Sequence, residues 1–259
     1  HHLNTLLRTN IKTRKTMLEP MRRGLLACFL SITFGFNHAS AANNDELAEL
    51  RPTVSREWIL TKDDRLRQIK TYFRLEDGKQ YRSFKIEAIL ETPMQTLAHV
   101  LLDFDSYTKW YWKTRESRLL KHPSNTEFIV YFIHEAPQGL ADRDVVLQCI
   151  IEPQTNVKRY ITLKVTALPN FLPLAPPLIR MPAEDISIKF SPLPNGKIQV
   201  VAEGYFDPGG SGVPVWATNF IQRAAPYSVI RNFQRMLNRD EYRHSKKPLP
   251  FPVYDDSDY

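Results

Sequence analysis

Residues 207–237 read DPGGSGVPVWATNFIQRAAPYSVIRNFQRML, and this stretch decides the fold. Its opening Asp-Pro-Gly-Gly ends the preceding strand, because neither a strand nor a helix interior tolerates it well. Ser211 can cap a helix, and Pro214 suits a first helical turn. Apolar side chains then recur at steps of three and four, which predicts one long amphipathic helix with the stripe Trp216, Phe220, Ala224, Tyr227, Ile230, Phe233 and Leu237.

Pro226 lies inside this predicted helix. A proline there removes a backbone hydrogen bond, so we expect a kink or two helical halves. The kink would divide a half that carries Trp216 and Phe220 from an anchoring half that carries Ile230, Phe233 and Leu237.

The segments before the helix read mostly as strands, so the helix must bury its apolar face against a sheet. Asp77-Gly78 predicts a hairpin between strands at 65–74 and 81–90, and Thr92-Pro93 predicts a short helix that ends near Asp103. Further strands are predicted at 115–121, 126–134, 143–152, 158–168, 185–190 and 197–206. Five prolines in residues 169–182 exclude regular structure there. The fold class is therefore α+β.

Residues 21–41 have the pattern of a secretory signal peptide. Met21-Arg22-Arg23 is a positive start, residues 25–36 are an apolar run too short to span a bilayer, and Ala39-Ser40-Ala41 has the small residues of a cleavage site. We therefore expect cleavage at Ala41 and export to the periplasm or the extracellular space. The alternatives are an uncleaved anchor, a buried helix or a lipoprotein site at Cys28. Residues 1–20 would lie upstream of the true start.

One domain is predicted from 45 to 243, followed by a tail at 244–259 that we expect to be disordered. Cys149 is the one cysteine that remains after cleavage, and we expect it to be a small buried hydrophobe. Residues 1–41 carry +5 of the net charge of +7, which leaves +2 and argues against nucleic-acid binding.

Motifs of common catalytic and cofactor sites are missing from the sequence. It has no Gly-rich phosphate loop, zinc-type Cys/His cluster, serine-nucleophile elbow or dinucleotide fingerprint. We therefore predict no cofactor, no metal and no catalytic residue. A curved sheet that grips one helix tends to leave an apolar space between them, which is what a lipid-like ligand requires.

Four groups of residues, in this order, resemble the START domains, the lipid-transfer domains related to the steroidogenic acute regulatory protein. They are Trp58-Ile59-Leu60 with Asp63-Asp64, residues 101–110 (LLDFDSYTKW), Asp142-Arg143-Asp144, and residues 207–211 with Pro214, Trp216 and Asn219. The resemblance covers about residues 58–237 and implies a bacterial, exported form. It implies a helix-grip fold, in which a curved antiparallel sheet wraps around the long C-terminal helix and encloses a lipid cavity. Gln138-Gly139-Leu140 and the proline-rich segment depart from the family pattern.

The resemblance places Arg143 at the start of an interior strand, where its charge would reach the cavity. A buried arginine needs a partner, and Asp142, Asp144 and Glu184 are the candidates. An exposed arginine in a charged turn is the alternative.

The other predicted ligand-binding residues are Tyr131, His134, Trp216, Phe220, Asn219 and Tyr205. Trp216 and Phe220 would form the floor of the cavity, with plain core packing as the alternative. Asn219 would hydrogen-bond the ligand, with capping or holding the adjacent loop as the favoured alternative. Tyr131 and His134 lie three residues apart on one strand and so on opposite faces, which allows at most one to point inward.

Residues 169–182 would form a lid over the cavity together with the long helix. Phe171, Leu172 and Leu174 are apolar in a loop that should be exposed, so we expect them to touch a membrane while the lid opens.

Three functions follow from this sequence. The first is binding, and transfer at a membrane, of a lipid or other hydrophobic ligand by a monomer without catalysis. The second is a polyketide cyclase-like enzyme on the same fold, with His134, Arg143 and Tyr205 as acid–base groups. The third is a ligand-free scaffold for a partner. A continuous cavity of several hundred cubic ångströms would exclude the scaffold, and a hydrogen-bonded polar pair inside it would favour the enzyme.

Overall fold

Ten strands form one sheet in residues 57–259, the part of the chain that the computed structural model describes. The strands are β1 (Ile59–Asp64), β2 (Ile69–Arg74), β3 (Ser83–Glu91), β4 (Thr114–Ser124), β5 (Glu127–His134), β6 (Arg143–Glu152), β7 (Ile161–Ala167), β8 (Ile179–Arg180), β9 (Ala183–Leu193) and β10 (Lys197–Asp207). The predicted signal peptide at 21–41, with Ala41, lies outside the described residues.

The sheet is antiparallel along its main path, in the order β1-β2-β3-β10-β9-β7-β6-β5-β4, and the short β8 pairs in parallel with β6. Two turns predicted from the sequence lie in the connections between neighbouring strands. Gly78 has a φ of 77° between β2 and β3, and Asn195 and Gly196 have positive φ between β9 and β10. Such left-handed residues match the twist of the strands that they connect.

Alternation along β5 divides the side chains of the sheet between two faces. Phe128, Val130 and Phe132 join the main core, whereas Tyr131 and Ile133 join a second cluster on the other face. We call the first the inner face and the second the outer face.

In residues 57–259, three helices and three 3₁₀ segments accompany the sheet; two of the 3₁₀ segments are short turns, at Pro194–Gly196 and Asp256–Asp258. Helix α1 spans Met94–Leu102, a 3₁₀ segment follows at Phe104–Lys109, helix α2 spans Val215–Leu237, and α3 is a single turn at Asp240–Arg243. Trp110 follows the 3₁₀ segment and lies 5.0 Å from the ring of Phe233 on α2. The predicted helix-grip fold, a curved antiparallel sheet with a long C-terminal helix, is confirmed.

Helix α2 continues across Pro226 without interruption, so two separate halves are not formed. Pro214 occupies the N-cap position with extended backbone, and no side chain caps the helix, so Ser211 does not have the predicted capping role. The downstream half is anchored by Phe233 in the core and by Tyr227, whose hydroxyl donates to Asp64 at 2.6 Å.

The tail at 244–259 packs against the domain, so the predicted disorder is wrong. Phe251 is buried in the main core. The Gln154 side chain donates to the Tyr254 carbonyl at 2.8 Å and accepts from the Tyr254 backbone N–H at 2.8 Å. Asp255 accepts a hydrogen bond of 2.8 Å from the backbone N–H of Met94, where α1 begins. One apolar anchor and one capping acid hold a segment whose composition is otherwise polar.

The proline-rich segment is held by Arg180. Its guanidinium donates to both carboxylate oxygens of Asp144, at 2.7 and 2.9 Å, and to the carbonyls of Pro169, Leu172 and Pro173. The side chains of Arg180 and Asp144 are only 5% and 1% exposed. Burial alone would raise the pKa of Asp144, but the hydrogen bonds from Arg180 and Tyr131 outweigh it and lower that pKa.

Replacement of Arg180 by methionine should destabilise the protein by about 3–5 kcal/mol, because it leaves the buried Asp144 carboxylate without its cation. Urea unfolding measures the effect. Arg115→Met is the matched control: its partner is Asp142 at 2.9 Å, its side chain is half-exposed, and its loss should cost at most about 1 kcal/mol. Equal losses in the two variants would contradict the anchoring role of Arg180.

Candidate functional site

Two cavities lie between the inner face of the sheet and α2. The outer cavity has a volume of about 90 Å³ and the inner cavity about 120 Å³. Trp112 and Phe206 line both, so these two side chains form a partition between them. Between the sheet and α2, the described residues therefore surround two small cavities and not the one continuous cavity of several hundred cubic ångströms that would exclude the ligand-free scaffold.

The inner cavity is almost entirely apolar. Strand residues line most of it, namely Phe84, Ile86, Phe132, Leu147, Cys149, Ile151, Leu163, Val165, Ile186, Ile188 and Ala202, and α2 contributes Ala225, Pro226 and Val229. Burial raises the pKa of the Cys149 thiol to about 12, so it stays neutral, and the predicted buried cysteine is confirmed.

A polar group of three side chains stands where the two cavities meet. Glu184 on β9 is 1% exposed and accepts hydrogen bonds from the Tyr111 hydroxyl at 2.8 Å and from His134 Nε2 at 3.2 Å. The other ring nitrogen of His134, Nδ1, lies 2.8 Å from the backbone oxygen of Trp112. Because both ring nitrogens face acceptors, the geometry fits the doubly protonated imidazolium.

The electrostatics of this group follow from burial and from the Glu184 charge. Burial alone would lower the pKa of His134, but the charge and hydrogen bond of Glu184 and the Trp112 carbonyl outweigh it, so the pKa is raised. Burial and the Glu184 charge raise the pKa of Tyr111 well above its ordinary value, which keeps its hydroxyl proton in place. A buried cation and a hydroxyl donor thus share one buried anion, Glu184.

Arg143 lines the outer cavity and is 6% exposed. Its guanidinium donates to the backbone oxygens of Pro208 at 3.1 Å, Gly209 at 3.2 Å and Ala141. Burial is the largest influence on the Arg143 pKa and lowers it. The side chain therefore joins the start of β6 to the loop that precedes α2.

Two loops and the first turns of α2 surround the outer cavity. The loop at 135–142 contributes Ala136, Pro137 and Leu140, and the loop at 208–213 contributes Pro208 and Val213. In the second loop, Gly209 has a φ of 65°, and a Cβ there would lie 2.8 Å from the Arg180 carbonyl oxygen. Only glycine fits so close an approach of two backbones.

No protein-family model and no curated protein matches the sequence. Solved structures do. The STAR-related lipid transfer protein (fragment 25–204) from Xanthomonas axonopodis is 27% identical, with a TM-score of 0.63 over 70% of this chain and 99% of that one. The protein has the fold of the START domains. The resemblance predicted from the four groups of residues is confirmed.

Two human START structures show the same fold at lower identity. Human STARD10 is 17% identical with a TM-score of 0.60, over 83% of this chain and 90% of that one. Human StAR-related lipid transfer protein 5 is 15% identical with a TM-score of 0.57, over 76% of this chain and 93% of that one.

Within this START fold, Tyr131 and His134 lie on opposite faces of β5, as predicted. His134 lines the outer cavity, whereas Tyr131 belongs to the outer-face cluster and donates to Asp144 at 2.8 Å. Tyr131 is therefore remote from both cavities.

Arg143 is buried at the cavity, but none of the predicted acids is its ion-pair partner within the described residues. Asp144 pairs with Arg180, Asp142 with Arg115, and Glu184 with His134. Arg143 and Asp144 are neighbours on β6 and so point to opposite faces. The buried guanidinium is bound by backbone carbonyls instead.

The predicted ligand-binding residues of the long helix, Phe220 and Asn219, do not line the cavities. Phe220 is 64% exposed and lines neither cavity, because the residues that face the cavities are Ala217, Thr218, Ile221, Gln222 and Ala225. Asn219 is half-buried and also absent from both linings. The side chain of Trp216 is outside what the structure describes.

Tyr205 and most of the predicted lid lie away from the two cavities; of residues 169–182, Met181 alone lines one of them, the outer cavity. Tyr205 lines a polar groove with Trp58 and Lys79. Phe171 and Leu172 pack on the outer-face cluster, so they do not cover the cavities, and only Leu174 is largely exposed, at 69%. The part of the segment around Phe171 and Leu172 lies on the opposite face of the START sheet, where Arg180 holds the carbonyls of Pro169, Leu172 and Pro173.

Sequence reasoning missed Tyr111 and Gln222 and considered Glu184 only as a partner of Arg143. Gln222 accepts from the Arg82 backbone N–H and donates to the Phe206 carbonyl, which joins α2 to the sheet. An amide inside the amphipathic helix was the available signal, since a buried polar group needs such partners.

Neither a metal site nor a membrane-spanning helix is found in residues 57–259. No three His, Cys, Asp or Glu side chains there are grouped to hold a metal ion, and no helix there is long and apolar enough to cross a membrane.

The raised pKa of His134 makes the stability of the START domain depend on pH. Because the folded-state pKa lies above the unfolded value of about 6.5, its contribution is complete below that pH and is lost as pH rises through the folded-state pKa. We expect His134→Gln to flatten the decline in unfolding free energy that begins above about pH 6.5. His244→Gln, at an exposed position of the tail, is the control and should retain the decline; identical profiles for wild type and His134→Gln would refute the assignment.

Proposed function

We propose that this START-fold protein binds a lipid or another hydrophobic ligand in its two cavities and transfers it at a membrane, without catalysis. The observation that carries the proposal is the inner cavity of about 120 Å³, whose lining is almost wholly apolar. An empty apolar space costs the fold packing energy, and a ligand recovers these contacts. Its small size and the partition indicate that ligand entry requires Trp112 or Phe206 to move.

Native mass spectrometry of the purified protein should detect a bound hydrophobic ligand, and Ala225→Leu should reduce ligand binding about tenfold or more, because the new side chain fills the inner cavity. The unfolding free energy should change by less than about 1.5 kcal/mol, since the leucine enters vacant space. Ala175→Leu, at an exposed position, is the matched control. Undiminished binding in Ala225→Leu would place the ligand elsewhere.

A second candidate function is acid–base catalysis, which the His134–Glu184 pair favours. The pair lines the outer cavity at hydrogen-bond distance, as a proton-transferring pair requires. The same mass measurement separates the two functions, because an enzyme changes the mass of its ligand during incubation and a transfer protein releases it unchanged.

The mouth of the outer cavity is the surface that we propose to meet the membrane. Exposed Phe220 projects from α2 beside residues that line this cavity, whereas Phe171 and Leu172 are packed on the outer face. An exposed aromatic side chain can enter the headgroup region and lower the cost of releasing a ligand there. Membrane contact at Leu174 is the rival proposal.

The sequence pattern of residues 21–41 alone supports our further proposal that the protein acts after export.

Phe220→Asp should slow ligand transfer between vesicles about fivefold or more while leaving ligand affinity unchanged, because it removes apolar surface from the membrane contact only. Leu66→Asp, at an 85% exposed position in the turn between β1 and β2, is the control and should transfer at the wild-type rate. A slow Leu174→Asp beside a normal Phe220→Asp would move the membrane contact to the proline-rich segment.

A further inference from the structure

The polar groove that contains Tyr205 lies on the outer face of the sheet and has a volume of about 440 Å³. Val165 and Ile186 line both this groove and the inner cavity, so only the sheet separates the two spaces. β3 pairs with β10 as far as Phe84 and Gly204, whereas β9 stays paired with β10 up to Asp207. Beyond Gly204 the strands β3 and β10 therefore part, and the groove lies beside that point.

Side chains that donate and side chains that accept hydrogen bonds alternate along the groove. The carboxylates of Asp185 and Glu203 accept, and the Lys164 ammonium donates. The hydroxyl groups of Thr166 and Ser187 do both. All five project from the outer face of three neighbouring strands, β7, β9 and β10, so a ligand that lies across these strands can reach several of them at once.

Ser83 adds a buried hydroxyl group to the wall of the groove. The residue is only 4% exposed, and its Oγ has no hydrogen-bond partner in residues 57–259. Leaving a buried hydroxyl without a partner costs free energy, and most such groups in proteins are bonded to protein or water. Rotation about the Cα–Cβ bond can direct this hydroxyl toward a polar group that enters the groove.

Two half-buried aromatic side chains, Trp58 and Tyr205, also line the groove. Arg74 lies 4.1 Å from the centre of the Trp58 ring, and the Lys79 ammonium lies 4.9 Å from the centre of the Tyr205 ring. These contacts hold both rings in place. The electron-rich faces of the rings attract positively polarised groups, including the C–H groups of a sugar.

The charges of the groove nearly cancel. Three acids, Glu76, Asp185 and Glu203, line it together with Lys79 and Lys164, and Glu76 pairs with Lys79 at 2.7 Å. A phosphate or another anion would therefore meet as much repulsion as attraction, and a cation would gain little. The ligand that fits this balance is neutral and rich in groups that both donate and accept hydrogen bonds.

We infer that the polar groove binds a neutral carbohydrate of about disaccharide size. Sugar hydroxyls both donate and accept, as the side chains of β7, β9 and β10 require, and the C–H face of a sugar ring suits Trp58 and Tyr205. The volume of the groove lies within the range of about 300–1,000 Å³ that is typical of small-molecule sites. The groove is separate from the two cavities, so this inference goes beyond the proposed function and does not rest on it.

An oligosaccharide array probed with the full chain tests the class of ligand. The array carries neutral di- to tetrasaccharides of glucose, galactose, mannose and N-acetylglucosamine, together with sulfated and carboxylated glycans. We expect binding to at least one neutral glycan, and calorimetry with the same free oligosaccharide should reproduce it. Failure of every neutral glycan to bind overturns the inference, and exclusive binding of the acidic glycans overturns the neutral class.

Variants of the groove test where the glycan binds. Glu203→Ala should weaken calorimetric binding about tenfold or more, because it removes a charged acceptor. Ser83→Ala should weaken binding about threefold or more without lowering the thermal midpoint, since its hydroxyl has no partner to lose in the free protein. Glu91→Ala is the matched control, because this exposed glutamate of β3 does not line the groove, and its affinity should stay at the wild-type value.

The same variants separate this inference from the proposed function. Ala225→Leu, which fills the inner cavity, should leave glycan affinity unchanged, and Glu203→Ala should leave hydrophobic-ligand binding unchanged. Wild-type glycan affinity in both Glu203→Ala and Ser83→Ala would place the glycan outside the groove and overturn the inference. Loss of glycan binding in Ala225→Leu with both groove variants unaffected would assign the sugar to the cavities instead.

Discussion

A buried carboxylate, Glu184, imposes the geometry on which the rest of the molecule depends. Its donors come from Tyr111 and from His134 on β5, while Glu184 itself lies on β9. In the sheet order, β7 and β6 separate these strands, so a flat sheet would hold them about 14 Å apart. Side-chain atoms that meet at 3.2 Å require the sheet to curve tightly around its inner face. The curvature in turn leaves room for one helix and for the cavities beneath it.

Each face of the sheet carries its own buried acid with its own cation and tyrosine. On the inner face Glu184 joins His134 and Tyr111, and on the outer face Asp144 joins Arg180 and Tyr131. Strand alternation enforces this separation, because no side chain can reach through the sheet. The outer-face group fixes the proline-rich segment, and the inner-face group borders the ligand cavities. The same kind of buried acid–cation–tyrosine group thus anchors a loop on the outer face and lies beside the ligand cavities on the inner face.

The sequence contained most of the fold because strands, turns and alternation are local properties. Asp77-Gly78 and Asn195-Gly196 marked their turns, and the spacing of Tyr131 and His134 assigned them to opposite faces. Helix orientation was harder, because the apolar stripe favoured the bulky Phe220. The structure instead turns the small Ala217 and Ala225 inward, at the positions where space is left beneath α2.

Long-range partners lay beyond sequence reasoning. Arg143 stands between two aspartates in the chain, yet the strand directs Asp144 away from it and Arg115 occupies Asp142. The lid was misplaced for a similar reason: the apolar side chains of the proline-rich segment indicated a ligand or a membrane, and nothing local showed that Arg180 would hold them on the outer face. The tail shows the same limit, since Tyr254 and Asp255 have hydrogen-bond partners 100 and 161 residues away, at Gln154 and Met94.

The polar group also holds one side of the partition, and the partition limits which ligands can occupy both cavities. Trp112 contributes its side chain to the partition and its backbone oxygen to His134, whose other nitrogen is held by Glu184. The position of the Trp112 backbone is therefore set by a buried ion pair, and the indole can open the partition only by turning about its own side-chain bonds or by breaking that pair. Rotation is the cheaper of the two, because rupture would leave a buried carboxylate short of a donor. A ligand long enough to occupy both cavities can thus enter while the polar group stays intact. The charges of His134 and Glu184 then keep their positions when the ligand is bound.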